Sequence, residues 1–570
     1  MSASILRNGL TDLIRTDGVG PVWCDEHELL QRIFVTVRDE NWREIAPIDS
    51  KRDINEALGS ATLSARHKSD SVEFEWKGTL QVSHDRQKLH FEFTGRVVRD
   101  MQVCRVGLVV LHPIDSMIGS RVIAIGPTSR YEFTPSETIA PQPVLNGLPQ
   151  AITEPFFLLT MERADLGRLE LAFAGDLFEL EDQRNWGDMS FKTYCTPLRL
   201  GFPREVKAGT LIQHSVEVKF TPPQAHQKSR PTLYRTGAFP QLGREWSHSA
   251  SAAQKPGPRD LPWSHLHFDA GALENLNELR ELFTTELSVP LHVSFQVSDT
   301  SLPEHVIDLF VAHRERLARL ILSGSGASLP SAAAISRWRL ELERAAPGWN
   351  APLSAATKGY FVELNRSVPF NLRVSGVAFP LSATVLSGDP EIICENVAAI
   401  QEMAQTGLRL TGTDQLSIMP LALYYPPSRS TQPFPASLVA PWLAATLINA
   451  AQGAIGTVTL ASDILAAIAS MGPDGVRLIA RLIGFKDKEV ARFSEGLPRS
   501  LHATQFVSAA PNEPQVLAVN MSPSAVEIPL AWLGKDLGRA TDALSGKLLP
   551  LKGNGLVIPG HSVILLGTDN

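Results

Sequence analysis

From Trp263 to about residue 495, short apolar runs alternate with stretches of helical period, and this alternation restricts the available folds more than any other feature. Repeated strand–helix units give a parallel sheet. The runs begin with SHLHFDA and a helix from about Ala272, HVSFQVSD and a helix from about Glu304, and RLARLILSG and a helix from about Ala332. KGYFVELNR, VSGVAFPLSA with a helix through Ala404, QLSIMPLALYY, and a helix from Leu438 leading into GTVTLAS complete the series. Seven such units predict a TIM-like (β/α)8 barrel over 263–495. No eighth strand stands out. The text after Ser470 reads as helix (GVRLIARLIGF), so the last unit is expected to be degraded.

On either side the texture is β. Val72, Phe74 and Trp76 alternate with Glu73, Glu75 and Lys77; Leu89, Phe91 and Phe93, then Leu169, Leu171 and Phe173, then Val216, Val218 and Phe220 repeat the pattern. Period two between turn signals marks half-buried strands, and many in one run predict an N-terminal antiparallel β-sandwich over 1–222. Residues 223–262, rich in Pro, Ser, Gly and Gln, keep no apolar period and read as a linker. Short strands from Val516 to Leu566 predict a small C-terminal β-sandwich over 496–570. The expected architecture is multidomain, α/β plus all-β.

Composition narrows the class. A net charge of −7 without a basic tract offers nothing to nucleic acid or an anionic membrane. Leu438 to Gly456 is the most apolar later stretch, but Pro441, Asn449 and Gln452 interrupt it, so a buried helix is expected rather than a membrane span. The N-terminus has no apolar core of secretory length. Cys24, Cys104, Cys195 and Cys394 lack metal or redox spacing and read as reduced thiols of a cytoplasmic protein. No cofactor or metal is implied, and the oligomeric state is not legible.

The densest chemistry lies in Phe178 to Leu198, FELEDQRNWGDMSFKTYCTPL. As a strand it would place Phe178, Leu180, Asp182, Arg184 and Trp186 on one face, so charge interrupts the apolar side. Buried charge is tolerated only when paired or hydrogen-bonded. Two readings follow: a structural ion-pair network, or a polar network beside a ligand. The segment resembles the signature of the D-apionate lactonase family, sugar-lactone hydrolases of bacterial apiose breakdown, and weaker similarity continues along the chain. The resemblance implies a small-molecule sugar lactone as substrate. It also suggests that Glu181, Asp182, Arg184, Asn185, Lys192 and Tyr194 bind substrate hydroxyls if this ribbon reaches the barrel.

Barrel chemistry sits at the C-terminal ends of the strands. Glu363 in GYFVELNRS is the leading acid, as general base or acid, with Arg366 and Asn365 as oxyanion partners. The alternative is an ion pair between Glu363 and Arg366. ELNR also resembles the family's pattern at this point. His265 and His267 in HLHFD resemble the HxH metal pair of amidohydrolases. The later runs VSGVAFPLSA and QLSIMPLAL add no histidine, so a hydrogen-bonded strand end is expected. Asp269, Gln296 and Asp299 are further pocket candidates, and Trp263, Trp338 and Trp349 are read as packing residues before sugar platforms.

The chain departs from the family pattern in two places. The family carries a histidine after the fifth strand and a glutamate ending the seventh; here the text reads VAFPLSATVLSGD and GTVTLASDIL, with Asp463 following Ala461-Ser462. The reading is a lactone hydrolase working by carboxylate-assisted water attack. The alternatives are a glycoside hydrolase-like barrel enzyme and a catalytically degenerate carbohydrate- or partner-binding protein.

Overall fold

The computed structural model describes residues 9–24, 27–223, 236–246, 261–271, 275–285, 289–297, 304–368, 372–385, 387–424, 434–492, 497–507, 509–510, 513–533, 537–552 and 555–568. Its contacts divide the chain into two compact units, the first containing the chain to Asn185 and from Met189, the second containing Trp186–Asp188 and the described residues from Thr236 onward.

Beside two two-stranded sheets, two large antiparallel sheets dominate the described residues of the first unit. One runs Gly18–Val19, Arg32–Asp39, Met101–Pro113, Ser190–Tyr194 and Glu179–Asp182, with Arg204–Val206 also paired to Met101–Pro113. The other has nine strands, from Arg130–Phe133 at one edge to Pro47–Asn55 at the other. Val35, Val37, Val106 and Leu108 of the smaller sheet join Phe74, Trp76, Phe91, Phe93, Leu169 and Val218 of the larger in one core. The period-two residues read from the sequence are therefore the ones buried. Every second side chain leaves the pleat toward that core.

In the second unit eight parallel strands close into a barrel. In chain order they are β1 (Gln241–Glu245), β2 (His265–Asp269), β3 (Leu291–Gln296), β4 (Leu317–Ser323), β5 (Leu353–Ala356), β6 (Val377–Ser382), β7 (Leu416–Ala422) and β8 (Ile455–Leu460). The helices are α1 (Leu276–Thr284), α2 (Glu304–Ala312), α3 (Ala332–Ala345), α4 (Phe361–Ser367), α5 (Pro390–Asn396), α6 (Ala399–Thr411), α7 (Ala436–Gln452), α8 (Ser462–Ser470) and α9 (Pro473–Gly484).

Two expectations are corrected. The eighth strand is not a degraded unit after Ser470: it is β1, inside the stretch read as a linker, and it pairs with β2 and β8. QLGRE escapes a periodicity search because Leu242 is its one large apolar residue and Gly243 carries no side chain. KGYFVELNR is also not a strand. The barrel position is filled by the small residues of β5, and Phe361, Val362, Leu364 and Asn365 are the buried side of α4.

Much of the barrel interior is polar, beside a small apolar cluster of Ile321, Ala356, Ala378 and Met419. His265 stacks on His292 at 4.0 Å and reaches past β1 to Thr459 Oγ1, with 2.9 Å between Nε2 and the hydroxyl. Arg319 donates to Ser354 Oγ (3.1 Å) and Gln415 Oε1 (2.8 Å), and Ser417 meets Thr457 at 2.7 Å. Burial pushes His265 down to about 3, with His267 and Arg319 adding to it, so the imidazole is neutral.

Around the barrel, α7 is buried from Leu438 onward, against β8 on one side and the C-terminal sheet on the other. That sheet orders Thr236–Ala238, Glu489–Ala491, Leu501–Phe506, Val516–Asn520, Ser562–Gly567, Arg539–Asp542 and Leu548–Leu549. It shares a core with Val526–Pro529 and Gly555–Ile558 of a three-stranded sheet. No helix among the described residues is long and apolar enough to cross a membrane.

Gly243 makes the interior stack possible: a Cβ there would stand 2.1 Å from His265 Nε2. Gly243→Ala is expected to cost about 1–3 kcal/mol, as overpacking does. Thermal unfolding of this variant, H265A and the double variant checks it. The double variant should be less destabilised than the sum of the two.

Candidate functional site

β1 and β2 run parallel and end at the same mouth, where they carry Glu245 and Asp269. Asp269 Oδ2 accepts from Lys358 Nζ at 3.1 Å, and Oδ1 accepts from the Gly271 N–H and from Ser294 Oγ, each at 3.1 Å. His267 Nε2 lies 2.9 Å from that same hydroxyl. With the Ser294 proton directed to Asp269, the imidazole donates through Nε2, so a neutral histidine orients the serine that orients the acid. Burial pushes His267 down to about 4, against the pull of Asp269, which keeps it in that neutral form.

The two acids diverge. Burial pushes the Glu245 carboxyl above its ordinary range; the Ser462 N–H lowers it in part, while Asp463 and Asp269 raise it further. For Asp269, desolvation by the surrounding barrel wall also acts upward. The charge and hydrogen bond of Lys358, with the Gly271 N–H, outweigh it and hold the carboxyl low. Neighbouring carboxyls driven in opposite directions are the arrangement that assigns a general acid and an ionised base.

Glu245 and Lys358 were absent from the sequence reading. Glu245 fell inside the assumed linker, and Lys358 follows a strand of small residues. A charged residue just beyond SAAT was the available signal for Lys358.

The loop bearing Lys358 continues into α4, whose first turn carries Glu363. Arg366 grips this carboxylate with two donors, Nε at 3.1 Å from Oε2 and Nη2 on Oε1. Asn365 is buried one residue away from that pair. Asp463 begins α8 and accepts the N–H groups of Leu423 (2.9 Å), Tyr424 (3.0 Å) and Ile464 (2.7 Å), which fastens the end of β7 to the helix. Burial raises its carboxyl despite those donors. Trp263 and Trp338 are core residues, Trp349 donates to Ala351 O, and Gln296 ends β3. Asp299 lies outside the described residues.

In the first unit the charged hairpin splits into two faces. Asp182 lies opposite Phe191 and Glu181 opposite Lys192. Arg184 is 1% exposed and pairs bidentately with Asp182, at 2.9 Å to Oδ1 and 2.7 Å to Oδ2. It also donates to the carbonyls of Ser136 (3.1 Å) and Glu137 (3.2 Å), and Asn185 donates to Ala140 O at 2.8 Å. This network ties the 136–140 segment to the hairpin. On the other face, Glu181 takes a hydrogen bond from Gln142, Lys192 is half-buried, and buried Tyr194 lies beneath the Arg105 guanidinium, 4.3 Å from the ring centroid. Glu179, on this face, is pushed up to about 7 by burial, against the Leu198 N–H and Arg105. Trp186, which groups with the second unit, meets Tyr360 edge-on at 5.7 Å.

Comparison with known proteins finds its clearest similarity in the first unit. Residues 4–223 match the family model of the D-apionate lactonase N-terminal domain. The resemblance read from Phe178 to Leu198 is borne out over that part of the chain. A curated D-apionate lactonase from Brucella anthropi is 28% identical over 212 residues, 36% of this chain and 33% of the relative. The match thus spans about a third of that relative's length. Among solved structures, a GH36 alpha-galactosidase from Geobacillus stearothermophilus in complex with raffinose aligns over 94% of this chain and 89% of its own (TM-score 0.27, 9% identity). A putative aldose 1-epimerase from Escherichia coli K12 covers 36% of this chain and 92% of its own (TM-score 0.24, 10% identity). Likenesses this slight say nothing about function.

Removing Arg184 leaves Asp182 as an uncompensated buried charge, a change that typically costs about 3–5 kcal/mol. Arg184→Met is therefore expected to lower the unfolding midpoint sharply, and R184M/D182L to recover part of it, as read by urea denaturation. An unchanged midpoint would mean that the pair does not hold this unit together.

Proposed function

We propose that the protein hydrolyses a small branched sugar lactone, D-apionolactone-like, to its aldonic acid in the cytoplasm. The carrying observation is the divergent pair Glu245 and Asp269 beside Lys358 at one barrel mouth. The name of the curated relative and the domain match in the first unit support the lactone as substrate class. In this reading Asp269 takes a proton from water, the hydroxide attacks the lactone carbonyl, and Lys358 stabilises the oxygen that gains charge. The ring C–O bond breaks and the leaving oxygen takes its proton from Glu245.

Glu363, the acid favoured by sequence, is paired to Arg366 and is assigned with Arg366 and Asn365 to shaping the loop that presents Lys358. Glu181, Lys192 and Tyr194 are assigned to sugar binding within the first unit. Asp182, Arg184 and Asn185 are assigned to its structure, because their polar atoms are engaged with one another and with the 136–140 segment.

A glycoside hydrolase is the second reading, favoured by the same divergence of two carboxyls, which such enzymes also require. Incubation with D-apionolactone and with aryl glycosides, following acid and aryl release, separates the two. Silence on both substrates favours a binding protein.

For the lactonase, E245Q and D269N should each lower kcat/KM by about 10²–10⁴ while E363Q retains most activity. A collapse in E363Q alone would return the role of base to Glu363.

The pH profile follows from the signs of the shifts. Activity rises as Asp269 ionises, below the ordinary aspartate range, and falls as Glu245 loses its proton, above the ordinary glutamate range. The falling limb should vanish from the residual activity of E245Q.

A further inference from the structure

We propose that Asp176, Cys195 and His214 form a binding site for one divalent d-block ion of the zinc type within the first unit. Their ligand atoms all lie within 4.8 Å of one another. Asp176 follows the strand Gly167–Ala174, Cys195 follows Ser190–Tyr194, and His214 lies in Leu211–Thr221. Three strands thus bring together residues that are far apart in sequence, so no short metal motif exists to be read. Cys195 was expected to be a plain reduced thiol because spacing along the chain does not reveal ligands that folding brings together.

The geometry suits a tetrahedral ion. Cys195 Sγ and His214 Nδ1 are 3.4 Å apart. Bonds of about 2.3 Å to sulfur and 2.0 Å to nitrogen at a tetrahedral angle put those two ligand atoms ~3.5 Å apart. Gly107 clears the space. With φ +145°, it has no side chain where a Cβ would stand 2.6 Å from Cys195 Sγ and 2.6 Å from His214 Cε1.

His214 Nδ1 accepts the Leu108 N–H at 3.3 Å, so this nitrogen presents its lone pair, as a metal ligand must. Metal binding exchanges that long hydrogen bond for a coordinate bond. Asp176 Oδ2 is steadied by Thr196 Oγ1 at 2.6 Å, which in turn accepts from Arg204 Nη2 at 2.9 Å, a second layer that orients the carboxylate.

The donor set also selects the ion. Thiolate with imidazole favours zinc-type ions over magnesium or calcium, which prefer all-oxygen cages. One thiolate and one carboxylate balance a dication. Three protein ligands leave a fourth position for water on the side of Asp176, the least buried of the three.

Cobalt(II) is the test probe, because its thiolate complexes absorb in the near ultraviolet and its tetrahedral complexes absorb strongly in the visible. The full chain, stripped with a chelator and exchanged into chelator-free buffer, should develop both bands, saturating at one equivalent, and zinc should abolish them. C195S should lose the near-ultraviolet band, and D176N, altered at a half-buried position, should weaken cobalt binding by at least the ~10–100-fold that loss of an outer-shell partner costs. Far-UV circular dichroism establishes that each variant is folded. The proposal is overturned if the wild-type chain gives no thiolate band, or if the band survives in folded C195S. Should C195S not fold, undiminished binding in D176N overturns it.

Discussion

The barrel depends on hydrogen bonding along both edges of a five-residue strand. Gln241–Glu245 pairs with Ile455–Leu460 on one side and His265–Asp269 on the other. Without it seven parallel strands would end in two open edges, each a row of unpaired N–H and C=O groups. The same short strand supplies the hole at Gly243 into which an imidazole fits and, two residues on, the acid at the mouth. Closure of the ring and placement of Glu245 are therefore one event, and the chemistry proposed for the mouth relies on backbone pairing more than on any side-chain contact.

Below the mouth, neutral imidazoles, hydroxyls and Arg319 accompany a small apolar cluster of Ile321, Ala356, Ala378 and Met419, where branched aliphatic layers are common in such barrels. The hydrogen bonds from Arg319 to Ser354 and Gln415, and between His265 and Thr459, give these groups some of their partners away from water. A polar interior of this kind has a use at its upper end. His267 and Ser294 carry orientation upward to Asp269, and Lys358 then decides which of the two mouth carboxyls remains ionised.

Much of this was legible in the sequence, and the failures have physical causes. Alternation exposed the sheets of the first unit because their strands bury one face, as Phe74, Trp76, Phe91 and Phe93 do. The helices near Glu304, Ala332 and Leu438 were legible from their period and lie where expected. A barrel strand with both edges paired and a polar interior needs no alternation, so QLGRE looked like a linker and LSAA drew no strand assignment, KGYFVELNR being taken in its place. The charges of Phe178 to Leu198 stand out in the sequence, but sequence cannot tell a carboxylate that greets a ligand from one already gripped by Arg184. Glu363 lies in the first turn of α4, just after the loop that bears Lys358. Its pairing with Arg366, three residues on, is a property of a helix that the sequence reading took for a strand.

The seventeen-residue helix Ala436–Gln452 has almost no hydrophilic side: from Leu438 to Gln452 every residue is buried. Barrel wall and C-terminal strands clasp it from opposite directions. Shortening the chain before Leu501 would peel away one of those covers and bare a greasy rod to water. The terminal β layer is thus a structural obligation of the barrel rather than a detachable accessory, and the two would have to be produced together to stay in solution.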